Sequence, residues 1–142
     1  MSLTYDERRT TLLAMKKSAP PPLPTEAELE ILNVLWSAGP STVREVHAAL
    51  GRDTGYTTVL KQMQVMAAKG LLTRSERFRS HVYEARLPKQ ETQQQLAGNL
   101  LKRAFEGSAS HLVLGALSSR PVSTKELAEI RRILDDFERG SK

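Results

Sequence analysis

Apolar residues fall into a helical rhythm immediately after Thr25. Leu29, Leu32, Leu35 and Trp36 recur at spacings that gather them on one helix face, and Thr25-x-x-Glu28 ahead of them has the form of a capping box. Gly39-Pro40 ends this helix. After a brief extended link at Ser41-Thr42, Thr42-x-x-Glu45 repeats the box and predicts a second helix over 43–50, with Val46 and Leu50 inward and Gly51 as its stop. A third helix is expected from Tyr56 to Lys69. Val59, Met63 and Met66 turn inward, Leu60 and Ala67 lie at the margin, and Gly70 suits a left-handed cap. The period then shortens: Leu71 to Arg74 and His81 to Ala85 read as two strands of a hairpin, with Val82 and Tyr83 favouring β structure. No Asn-Gly pair joins them, so a longer, looser loop is expected, with Phe78 at its tip folding back onto the core.

After Pro88 the pattern changes. A Gln-rich helical stretch over 89–106 carries Leu96, Leu100, Leu101 and Phe105 on one side and stops at Gly107. Residues 110–118 offer Leu112, Val113, Ala116 and Leu117, and Ser123-x-x-Glu126 opens a last helix with Leu127, Ile130, Ile133, Leu134 and Phe137 at steps of three and four. Some 55 residues make a poor independent core. Wide apolar faces on short helices usually find a partner, so these residues, from Leu96 to Phe137, are read as a dimerisation surface at which two copies share one core. The expected architecture is mainly α with a small β wing. It comprises a flexible arm and Pro-rich linker over 1–24, a winged helix-turn-helix domain over 25–87, and a helical dimerisation segment over 88–142.

Charge sharpens this picture. The 142-residue chain has a net charge of +5 and a pI near 9.7, a balance that favours polyanionic partners. From Ser41 to Leu87 eight Lys or Arg face four Asp or Glu, whereas Thr25 to Pro40 holds three Glu and no basic residue. The basic excess coincides with the hairpin. On the third helix, Lys61 could reach a guanine edge or a phosphate, and Gln62 or Gln64 could bridge an adenine. Thr57 and Thr58 in its first turn could bond phosphate or base, Tyr56 could meet the backbone or staple the helix, and Thr42 joins them as a helix-end contact. Arg74, Arg77, Arg79 and His81 on the hairpin suit phosphate contact or insertion into a narrow minor groove. In the arm, Arg8, Arg9, Lys16 and Lys17 offer further charge. Double-stranded DNA is the indicated partner. The competing reading from this pattern is a winged helix that meets an acidic protein.

Enzymatic readings find little purchase. There is no cysteine, hence no disulfide, thiolate metal site or cysteine nucleophile. His47, His81 and His111 lack metal-ligand spacing, and no phosphate-binding loop, nucleophile elbow or dinucleotide turn occurs. No cofactor is expected. No apolar run approaches the roughly 20 residues of a membrane span, so no membrane insertion and a cytoplasmic location are expected.

Several segments, in order, resemble the BlaI/MecI family of penicillinase and methicillin-resistance repressors, with the copper-responsive CopY repressors as relatives. They are PTEAELEILNVLW, TVREVHAAL, YTTVLKQMQVMAAKGLL, HVYEA, FEGS and LVLGAL, spanning about Leu23 to Phe137. The resemblance implies a homodimeric winged-helix repressor that binds an inverted-repeat operator and blocks transcription, in a β-lactam or other stress response. In antibiotic-responsive members it further implies a sensor protease as partner and cleavage at an Asn-Phe bond in the first dimerisation helix. Here Leu101-Lys102-Arg103-Ala104-Phe105 occupies that region and contains no such bond. The C-terminal cysteine pair of the copper-responsive branch is also missing.

Overall fold

The computed structural model describes residues 21–51, 53–77 and 79–140. The arm's Arg8, Arg9, Lys16 and Lys17, and Phe78 with its expected fold-back, lie outside them. By contacts the chain divides into one unit ending at Gln95 and a second starting at Leu96.

The first unit holds α1 (Glu26–Ala38), α2 (Val43–Leu50), α3 (Tyr56–Lys69), β1 (Leu72–Arg77), β2 (Ser80–Ala85) and the opening turns of α4 (Lys89–Ala104). Both expected capping boxes form. The Glu28 N–H donates to Thr25 Oγ1 at 3.2 Å while the Thr25 N–H donates to Glu28 Oε1 at 2.9 Å, and Thr42 and Glu45 repeat the exchange at the same distances. Each box satisfies amide groups that a helix start would otherwise leave open. Gly70 closes α3 in the left-handed region at φ 86°, where a side chain would be strained. A Cβ there would also stand 2.9 Å from Arg86 Nη1.

One core results. Ile31, Leu32 and Leu35 of α1, Val43 and Val46 of α2, and Val59, Met63 and Met66 of α3 are buried together with Leu71, Leu72 and Tyr83. The hairpin is antiparallel, pairing Leu72 with Ala85 through to Arg77 with Ser80. With Arg77 paired directly to Ser80, the hairpin closes more tightly than the longer loop that the absence of Asn-Gly suggested. Arg79 supplies the turn by adopting a positive φ of 65° itself. On the other edge of β2, Ser41 and Tyr83 exchange backbone hydrogen bonds of 2.9 and 2.8 Å, which ties the wing to the link between α1 and α2. The Trp36 indole N–H donates to the Leu87 carbonyl at 2.9 Å, pinning the chain as it leaves the wing. Pro21 and Pro24 are buried, and the Gln95 side-chain amide donates to the Pro21 carbonyl, so residues 21–24 pack within this unit.

The second unit contains the remainder of α4, then α5 (Ala109–Ser119) and α6 (Thr124–Gly140). Ser108 caps α5 by accepting from the His111 N–H. At α6 only half of the expected third box forms: Ser123 Oγ accepts from the Glu126 N–H, but the Glu126 carboxylate is held by Arg120 at 3.1 Å. No residue from Leu96 to Gly140 is buried. Leu100, Val113, Ile133, Leu134 and Phe137 are exposed, the last at 74%, while Leu96, Leu101, Phe105, Leu112, Leu117, Leu127 and Ile130 are half-buried. Leu114, which the sequence pattern did not single out, is 61% exposed.

Across the first unit, Lys69 Nζ at the end of α3 reaches Glu28 Oε2 at the start of α1, 2.9 Å away. Burial pushes the Glu28 carboxyl up, but the Thr25 N–H, the Lys69 ammonium and the Thr25 hydroxyl outweigh it and hold it below its ordinary value of 4.5. A carboxyl depressed on folding stabilises fully above its unfolded pKa and loses that contribution as pH falls through the lowered folded pKa. Glu28→Gln is accordingly expected to cost about 1 kcal/mol in urea unfolding at pH 7. The difference from the parent should vanish well below pH 4.5; an equal difference at both pH values would show that charge is not what Glu28 contributes.

Candidate nucleic-acid interface

The burial of Val59, Met63 and Met66 decides which way α3 faces. At about 3.6 residues per turn, Thr57, Lys61, Gln64 and Ala68 lie opposite that buried arc, and all four are exposed. Thr58 is exposed to one side of them. Gln62 sits further round toward the core and is half-buried, its Oε1 enclosed without a hydrogen-bond partner. The structure thus brings Thr57, Lys61 and Gln64 onto one front and sets Gln62 apart from it.

The N-terminus of α3 begins at Gly55, which offers no side-chain cap. The Thr58 and Val59 amides bond back to the Gly55 carbonyl at 3.1 and 3.3 Å, which leaves those of Tyr56 and Thr57 without a partner among the described residues, at the end of the helix that favours an anion.

Beside this front, a cleft of about 380 Å³ separates α2 and α3 from the wing. Thr42, Tyr56, Gln64, Arg74 and His81 all line it, as does Arg44, which the sequence reading passed over. Thr42 is half-buried, and its hydroxyl already accepts the Glu45 N–H of the capping box. The Glu45 carboxyl is held below its usual range by the Thr42 N–H and hydroxyl. Cross-strand pairing places Arg74 with Tyr83 and Glu76 with His81 on one face of the hairpin, and His81 Nδ1 lies 3.9 Å from Glu76 Oε1. Arg77 and Arg79 flank the turn at the far end, both exposed. Gln62 aside, the expected residues therefore fall into three places: a helix front, a cleft and a hairpin tip. Each is basic or able to form hydrogen bonds.

Comparison with known proteins decides the assignment. The family model described as penicillinase repressor matches residues 24–136, most of the chain. The chain belongs to the penicillinase repressor family. Among its relatives, the transcriptional regulator BlaI of Mycobacterium tuberculosis is 32% identical over 118 residues, covering 81% of this chain and 85% of that protein. The penicillinase repressor of Bacillus licheniformis is 24% identical over 120 residues, covering 83% and 94%. The methicillin resistance regulatory protein MecI of Mammaliicoccus sciuri is 21% identical over 115 residues, covering 78% and 92%. As a penicillinase-repressor family member the chain is a transcriptional repressor and not an enzyme. Among the described residues no helix is long and apolar enough to cross a membrane, and no cluster of His, Asp or Glu is placed to hold a metal ion.

The positive φ at Arg79 costs a residue with a Cβ roughly 1 kcal/mol. Arg79→Gly is expected to leave the thermal unfolding midpoint unchanged or to raise it by a few degrees. A lowered midpoint would show that the arginine side chain itself holds the turn.

Proposed function

We propose that the chain is a cytoplasmic homodimer that recognises an inverted-repeat operator in promoter DNA of a β-lactam or other stress response. In this reading α3 lies in the major groove, where Lys61 and Gln64 meet base edges and Thr57 and Thr58 meet base or phosphate. Gln62 joins them only by turning its side chain out of its half-buried position. The wing places Arg74, Arg77, Arg79 and His81 along the phosphate backbone, and Tyr56 and Thr42 stand at the helix ends beside it.

The observation that carries the reading is the division of α3 into a fully buried apolar back and an exposed front of threonine, lysine and glutamine, with a basic cleft beside it. The homodimer is supported by the second unit, which exposes six large apolar side chains and buries none of its residues. Such faces are stable in water when a second copy covers them.

Lys61→Ala should weaken binding to a selected palindromic duplex by about 1–3 kcal/mol and relax preference at one position. Arg77→Ala should weaken palindromic and random duplexes alike and flatten the dependence on salt. Equal affinity of the unaltered protein for both duplexes at one salt concentration would refute sequence-specific repression. In sedimentation, Phe137→Asp combined with Leu134→Asp should shift the full chain from dimer to monomer and cost operator affinity, because two linked half-sites reinforce one another. A dimer that survives both substitutions would place the interface elsewhere.

A further inference from the structure

Arg44 stands where helix electrostatics disfavours it. It is the second residue of α2, at the end whose amides carry partial positive charge, and among the described residues no carboxylate forms an ion pair with it. The guanidinium carbon lies 5.9 Å from the centroid of the Tyr56 ring, within cation–π range. His47 meets that ring edge-on, with centroids 6.1 Å apart, and its Nε2–H donates to the Thr54 carbonyl at 2.8 Å. A series of contacts thus links a cation with no ion-pair partner among the described residues to the loop that leads into α3.

The cation borders the cleft whose wing side carries Arg74 and His81. No carboxylate of the described residues lines this cleft; Glu76 lies near it through His81. Two arginines border one cavity whose described lining holds no carboxylate, an arrangement that an entering anion neutralises. Residues that break a local rule without an internal compensation are expected at functional sites.

We infer that Arg44 is a DNA-phosphate ligand held in readiness by Tyr56, and that the cleft between it and Arg74 seats one backbone phosphate in each half-site. Tyr56 acts here as a positioning residue through its ring. The inference rests on the DNA-binding reading above, but phosphate contact does not require that reading's sequence preference.

The test uses the full-length chain with two duplexes, a palindrome selected from randomised DNA and an unrelated sequence of equal length, each titrated at several salt concentrations. Arg44→Ala should reduce affinity for both by the same factor, roughly tenfold at low salt, and lower the slope of log affinity against log salt by about 0.9 per protomer. Its thermal midpoint should stay level or rise, since a cation leaves a helix N-terminus; a purely structural arginine would lower it. Tyr56→Leu should weaken affinity in the parent and change it little in Arg44→Ala. Neutral methylphosphonate at one position per half-site should weaken the parent and leave Arg44→Ala indifferent. An unchanged salt slope on both duplexes would overturn the inference, as would a loss confined to the palindrome, which would make Arg44 a base reader. Failure of the parent to prefer the palindrome would sink specific repression and still leave the slope on unrelated DNA to judge Arg44.

Discussion

Burial of the back of α3 is the constraint on which the first unit depends. Val59, Met63 and Met66 are completely enclosed, and burial of each such side chain stabilises by about 1.5–3 kcal/mol. Rolling the helix by one position would expose part of that surface and draw a glutamine into the core, at a cost no wing contact could offset. The outward direction of Thr57, Lys61 and Gln64 is therefore a by-product of core packing. Their exposure is inherited from residues buried on the opposite face of the helix.

The remaining contacts fix where α3 starts and stops relative to its neighbours. The capping boxes at Thr25 and Thr42 set the first residues of α1 and α2. Lys69 and Glu28 then join the last turn of α3 to the first turn of α1, so the two ends of the domain's helical part are referenced to one another. The charge distribution follows the same plan, with acidic residues gathered on α1 and basic ones beside α3 and on the hairpin. A polyanion approaching this unit meets attraction on one side and repulsion near the other.

The helices were legible in the sequence because their signals are local. A capping box three residues long and a glycine stop define α1, α2 and α3 without reference to anything distant, and the four- and three-residue steps of Val59, Met63 and Met66 expose the core face directly. What depended on contacts across space was not legible. Arg79 carries no sign that an arginine will take the conformation usually left to glycine or asparagine, so the hairpin turn came out tighter than its composition suggested. Arg44 met Tyr56 only once the Gly51–Gly55 loop had folded α2 against α3. The third capping box was half right for a similar reason, since Glu126 had a competing partner in Arg120. Gln62 has the polar character of the exposed front but lies on the flank of α3, about 100° in helical phase from Lys61, a distinction that depends on knowing where the centre of the buried arc falls.

The backbone pairing of Ser41 with Tyr83 has a consequence beyond holding the wing in place. A two-stranded hairpin has two open edges, and each can recruit a strand from another molecule. On β2 the middle of that edge is already occupied by Ser41. On β1 the edge has no paired strand among the described residues but carries Arg74, Glu76 and Arg77, charged side chains of the kind that discourage pairing at a sheet edge. The charged residues of the wing thereby also guard the protein against edge-to-edge aggregation.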